Sequence, residues 1–183
     1  MFDQNAGGTL AQQQIAGGQY RVDPKNGRVT LNGFGGTPPV LYLVGQNQAF
    51  LIGTDGNVTS GVLAPQTAGT TGVPLTNSSV VSAYEGGSVT PSLPAATNLV
   101  DWLSSDGNGN INVSQDSSGP GGPQSNQFAL TYQVDATGRA LLDSNPGGTL
   151  EGILFVISPT RIVILSTDAN PTLSTFVIGK STN

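Results

Sequence analysis

VLYLVGQNQAFLIGTD, residues Val40 to Asp55, aligns without a gap on ILFVISPTRIVILSTD, residues Ile153 to Asp168. Each stretch is a pair of apolar runs of strand length around a polar corner, which is the pattern of a β-hairpin. Upstream, YRVDPKNGRVTL from Tyr20 matches YQVDATGRALL from Tyr132 with one residue deleted in the turn. Downstream, VTSGVLAPQ from Val58 falls opposite PTLSTFVIGK from Pro171. Self-similarity at a fixed spacing marks a repeat architecture.

The spacing from Tyr20 to Tyr132 is 112 residues, yet the first copy holds some 66, because the counterpart of residues 80–114 is missing. Residues 1–66 therefore read as a truncated first repeat and 80–183 as a complete second one. Residues 67–79, rich in Gly, Thr, Ser and Pro, read as a linker. In the complete copy, strands are expected near 80–86, 97–104, 110–116, 127–134, 139–143, 151–157, 161–167 and 172–178. The fold class is all-β, with antiparallel barrel-like or sandwich units, one complete eight-stranded copy and one truncated copy.

The turns carry their own chemistry. Asp106-Gly107-Asn108-Gly109 and Asp135-Ala136-Thr137-Gly138 supply residues that tolerate positive φ, and Asp23-Pro24-Lys25-Asn26-Gly27 is the first-copy counterpart. In FALTYQVD, Phe128, Leu130, Tyr132 and Val134 share one face, as in a half-buried strand. The hairpin Ile153 to Asp168 differs: Ile153, Phe155 and Ile157 alternate with Leu154 and Val156, and Ile162 and Ile164 alternate with Val163 and Leu165. A strand that is apolar on both faces needs cover on both. The first-copy hairpin shares this property through Leu41, Leu43, Phe50 and Ile52. These eight residues, Leu41, Leu43, Phe50, Ile52, Leu154, Val156, Val163 and Leu165, are the candidate assembly surface. They are expected to pack hairpin on hairpin, within the chain or between molecules.

Composition narrows the function classes. Hydrophobic residues make up 36% and charged residues 9%, with Gly, Thr, Ser, Asn and Gln filling the rest, a profile of short strands and many turns. The net charge is −5, and the six bases stand singly at Arg21, Lys25, Arg28, Arg139, Arg161 and Lys180. Phosphate binding needs clustered cations, so no nucleic-acid partner is expected. Apolar runs reach about five residues, against the roughly 20 of a spanning helix, so no membrane span is expected. MFDQNAGG has neither the basic start nor the apolar core of a signal peptide. With no His and no Cys, the usual general base, the common nucleophile pairs and most zinc sites lack their residues. No enzyme activity and no cofactor are expected.

Tyr20, Val22, Asp23, Gly27, Arg28 and the Ala49 to Asp55 strand form a pattern that recurs at Tyr132, Val134, Asp135, Gly138, Arg139 and Thr167-Asp168, together with the Asp106 to Asn110 turn. This pattern resembles tandem modules of large secreted bacterial proteins of mostly unassigned function. The resemblance implies small calycin-like β-barrels, an extracellular or cell-surface location and no catalytic residues. The second copy departs from it at Ile162-Val163, where the pattern has Ala-Phe.

Asp106, Asn108 and Asn110 place three side-chain oxygens at alternate positions, as calcium loops do, but the closing bidentate acid is missing and a β-turn explains them. Asp23 with Arg28 and Asp135 with Arg139 read as turn-stabilising contacts. Thr54-Asp55 and Thr167-Asp168 read as turn caps. Glycosidase chemistry would need two carboxylates in one cleft, with Glu85 or Glu151 as the acid, and neither lies in a motif. Trp102 reads as core filling before sugar stacking.

The expected function is a non-catalytic structural or adhesive repeat module that assembles through β-edge and apolar-face contacts, as a homo-oligomer or a filament. The missing strands of 80–104 leave the first copy with open edges that invite strand addition. The alternatives are a calycin-like barrel holding a small apolar ligand, and a virion structural protein. Large inward side chains such as Phe128, Tyr132 and Phe155 favour a filled barrel, and an internal cavity favours a ligand.

Overall fold

The computed structural model describes residues 2–6, 8–13, 17–33, 37–46, 48–54, 60–63, 65–66, 74–80, 83–89, 97–144, 148–168 and 173–178. Among them the regular structure is almost entirely β. Two compact units form: Met1–Asp3 with Gln12–Pro65, and Gln4–Ala11 with Gln66–Asn183. A short hairpin of β1 (Phe2–Ala6) and β2 (Thr9–Gln13) precedes both sheets. Its Asn5 Nδ2 donates to the carbonyls of Ser166 and Asp168 at 2.8 and 2.9 Å.

The larger unit is a closed eight-stranded antiparallel barrel. Its strands are β8 (Ala83–Val89), β9 (Asn98–Ser105), β10 (Asn110–Gly119), β11 (Gly122–Val134), β12 (Arg139–Asp143), β13 (Leu150–Ser158), β14 (Arg161–Ser166) and β15 (Leu173–Ile178). Each pairs with the next in sequence, and β15 returns to β8, so the sheet has no edge. Alternation does the rest. Tyr84, Leu103, Ile111, Val113, Leu154 and Ile162 turn inward and form the buried centre. Leu154 and Val156, expected on an assembly surface, are wholly buried members of this centre. A closed barrel needs one apolar face from every strand, and they supply it for β13. Phe155, counted among the inward side chains, takes the alternate face of β13 and is half-buried.

The smaller unit is an open five-stranded meander of β3 (Gln19–Val22), β4 (Arg28–Asn32), β5 (Val40–Gly45), β6 (Gln48–Ile52) and β7 (Ser60–Leu63). Its pairing repeats that of β11 to β15. Tyr20 faces Leu31 as Tyr132 faces Leu142, and Val29 faces Leu41 as Ala140 faces Leu154. Tyr42 faces Phe50 as Phe155 faces Val163, and Ala49 faces Leu63 as Ile162 faces Phe176. The turns repeat as well. Gly27 (φ 69°) and Gly138 (φ 83°) occupy the left-handed region that side chains avoid. Their carbonyls accept from Leu43 and Val156 at 3.0 and 2.8 Å. The small unit thus lacks counterparts of three strands, β8, β9 and β10, one more than residues 80–104 supply.

Before the barrel, the 3-10 turn η1 (Asn77–Ser79) crosses the barrel end that holds the β9–β10 and β11–β12 turns. Val80 sinks into the core and Leu75 packs against it. Asn77 Oδ1 accepts from the Val134 amide at 2.8 Å, and its Nδ2 donates to the Asn108 carbonyl at 3.3 Å. Residues 67–73 of the expected linker and Asp55 lie outside the described residues.

Candidate functional site

Two features of the molecule carry chemistry that its core does not consume. The first is a cavity of about 250 Å³ in the barrel half remote from η1, with Leu103, Val113, Leu130 and Phe176 below and Asp101, Gln115, Glu151 and Asp168 higher up. Phe128 lines it too, so the barrel is filled at one end and hollow at the other. The charged groups lining it are all acidic.

Asp101 is the one buried charged residue among those described, placed inward by its register on β9. Gln115 Nε2 donates to its Oδ1 at 2.9 Å. Desolvation by burial raises the carboxyl above its ordinary range, and the Gln115 hydrogen bond opposes this only in part. Glu151 reaches the cavity at the start of β13, while Glu85 sits on β8 opposite Val177 and Trp102 and does not line it. The two glutamates do not converge.

The second feature is the inner-equivalent face of the five-stranded sheet. Tyr20 is 74% exposed and its counterpart Tyr132 is 5%. Leu43 is 45% exposed where Val156 is 0%, and Leu63 is 48% where Phe176 is 2%. Only Val29, Leu41 and Ala49, with Leu31 and Leu51 beside them, make a small buried cluster. On the opposite face, Tyr42, Phe50 and Ile52 are exposed as well. Of the eight residues singled out for assembly, Leu43, Phe50 and Ile52 are therefore exposed, Val163 and Leu165 are half-buried, and Leu41, Leu154 and Val156 are buried.

The remaining candidates resolve into turn chemistry. Asp106 Oδ1 accepts from the amides of Asn108 and Asn110 at 2.7 and 3.0 Å, and its Oδ2 accepts from Asn110 Nδ2 at 2.6 Å. The Asn110 side chain, then the backbone amides, hold its carboxyl below the ordinary range. These oxygens face donors of their own loop. Asp135 Oδ1 accepts from the Thr137 amide and hydroxyl and from the Arg139 amide, at 2.8, 2.6 and 3.1 Å. Asp23 Oδ1 accepts from the Lys25 amide at 2.9 Å. The Asp135 carboxylate thus meets the Arg139 amide, whereas the Arg28 amide donates to Asn26 Oδ1 at 2.9 Å and the Arg28 carbonyl accepts from the Asp23 amide at 2.8 Å. Thr54 and Thr167 hydroxyls donate to the carbonyls of Pro38 and Leu150 at 2.8 and 2.7 Å, closing equivalent hairpins.

Trp102, expected in the core, is 44% exposed on the outer face of β9, beside the exposed Val100. It alternates with Asp101 and Leu103, and the strand period leaves it no inward option. Asp101 belongs to no motif in the sequence, where a lone aspartate on a strand has no partner at a fixed spacing; its i, i+2 relation to Leu103 is the signal that places it inward. Among the described residues no helix is long and apolar enough to cross a membrane.

No protein-family profile, curated protein sequence or solved structure matches the chain.

Proposed function

We propose that the chain is a non-catalytic structural repeat module of a secreted or cell-surface protein, assembling through the uncovered face and edges of its five-stranded sheet. One observation carries this reading: the two copies share strand register, yet Tyr20, Leu43 and Leu63 are open to solvent where Tyr132, Val156 and Phe176 are buried. A contiguous apolar face on a soluble domain is a contact surface in waiting. Among the described residues β3 and β7 are the edges of this sheet, and a sheet edge is a template for a further strand. Sedimentation of the whole chain across the micromolar range tests the reading. Association that weakens in Tyr20→Asp and Leu43→Asp variants supports it, and a monodisperse monomer at every concentration refutes it.

The barrel cavity favours a second reading, a small ligand with an apolar body held at Leu103, Val113 and Phe176. At about 250 Å³ the space lies just below the roughly 300 Å³ where drug-sized pockets begin. Thermal shift across a panel of small apolar and amphiphilic compounds tests it, with Leu130→Trp as the variant that fills the space.

A further inference from the structure

We infer that the uncovered face of the five-stranded sheet is a docking surface for one kind of partner: a further three-stranded β-meander of this same repeat type, equivalent to residues 77–119. The inference rests on the assembly reading and names its partner. The second copy displays what such a face receives. There, β10 pairs with β11 through Asn110↔Thr131 and Ile111↔Leu130, and β8 pairs with β15 through Gly86↔Phe176 and Gly87↔Thr175. The equivalent acceptors in the first copy are Gln19 on β3, and Leu63 and Val62 on β7, at its two edges.

Tyr20 narrows the choice of partner. In the barrel the hydroxyl of Tyr132 reaches Ser105 Oγ at 2.8 Å and the carbonyls of Asn77 and Val80, both at 3.1 Å. Its amide donates to the Gly109 carbonyl at 2.8 Å. Ser105, Gly109 and Val80 belong to the segment that the first copy lacks, and Asn77 to the η1 turn that leads into it. Tyr20 is thus a tyrosine whose counterpart uses its hydroxyl and its amide on residues 77–109. A second five-stranded sheet would offer it apolar surface but neither the η1 carbonyls nor the β9 serine.

The chain's own residues 77–119 are already committed, since they close the barrel between β15 and β11. Moving them to the first copy would open as many edges as it sealed. The meander that fits is therefore a further one, with apolar side chains at the positions of Val80, Leu103, Ile111 and Val113. The backbone ladders then set register, and the alternate side chains give specificity.

A synthetic polypeptide of residues 74–119, added to the full-length chain, tests this. Sedimentation should show a one-to-one complex that replaces any self-associated species. Amide exchange should slow across residues 19–63 and stay unchanged across 122–178. The probe carrying Ile111→Asp and Val113→Asp, at inward positions, should fail to bind. The probe carrying Asn112→Asp and Ser114→Asp, at the neighbouring outward positions, should bind as the parent does. Protection confined to 122–178, or equal binding of both altered probes, would overturn the inference. A chain that self-associates but ignores the probe would overturn it and leave the assembly reading standing. A chain that does neither removes both.

Discussion

The hydroxyls of Ser105 and Tyr132 lie 2.8 Å apart at the η1 end of the barrel, tying β9 to β11. Ser105 Oγ also donates to the Val80 carbonyl and accepts from the Gly107 amide at 3.2 Å. Two side chains thereby fasten the entering chain, a turn and two strands. Burial, which lowers the dielectric around such bonds, raises the cost of losing a partner.

Removing one hydroxyl should accordingly destabilise the barrel while removing another should not. Tyr132→Phe strips a partner from Ser105 and the η1 carbonyls, and is expected to cost about 1–2 kcal/mol in denaturant unfolding. Tyr84 is equally buried, but among the described residues its hydroxyl has no hydrogen-bond partner. Tyr84→Phe is therefore expected to be neutral, or stabilising by up to about 1 kcal/mol, because it removes an unsatisfied group. Equal losses in the two variants would contradict the network.

Asp101 sets a pH signature. Its folded carboxyl titrates above the ordinary value of 3.8, so the folded barrel holds a proton that the unfolded chain has released. Stability is penalised progressively as pH rises from 3.8 through the folded value, and the penalty is absent below 3.8. Asp101→Asn keeps an oxygen for Gln115 and removes the charge. Its stability advantage over wild type should be near zero in acid and grow as pH rises through the folded value, as read from denaturation midpoints. An advantage independent of pH would refute the burial argument.

Asp106 has the opposite sign, because the hydrogen bonds of its own turn favour the charged form. Stability from this group is present above 3.8 and is lost as pH falls through the lower folded value. Since its oxygens accept from the Asn108 and Asn110 donors, the turn is held by its own hydrogen bonds and no calcium dependence is expected. The thermal midpoint should be unchanged between excess calcium and excess chelator, and a rise of several degrees with calcium would show binding to the folded state.

Gly138 and Gly27 share a left-handed conformation but not a neighbourhood. A Cβ on Gly138 would come within 2.7 Å of Gln66 Nε2 and Leu75 Cδ1, whereas one on Gly27 would meet nothing nearer than the Leu43 carbonyl at 3.3 Å. Gly27→Ala is expected to cost about 1 kcal/mol from backbone conformation alone. Gly138→Ala should cost about 1 kcal/mol more, because the Leu75 Cδ1 end must turn aside and Gln66 Nε2 must give up its hydrogen bonds to the Thr137 and Val156 carbonyls. Calorimetry of the barrel transition for Gly138, and amide exchange over residues 19–52 for Gly27, separates the two.

The eight strands of the complete copy were legible because each alternates or runs apolar between turns of explicit chemistry, Asp106 to Asn110 and Asp135 to Arg139 being the clearest. The gapless match of Val40–Asp55 to Ile153–Asp168 carried over into identical cross-strand pairs, from Tyr42 opposite Phe50 to Phe155 opposite Val163. Pattern and turn residues act over a few positions, so the sequence by itself determined strand content, hairpin register and the equivalence of the two copies. It did not determine which face of a doubly apolar strand looks inward. Closure decided that: pairing β15 with β8 enclosed Leu154 and Val156, set Trp102 outside and carried Asp101 into the wall of a cavity. The same residue types stay exposed at Tyr20 and Leu43, where no closure occurs, because burial is a property of the whole ring of strands and not of any one of them.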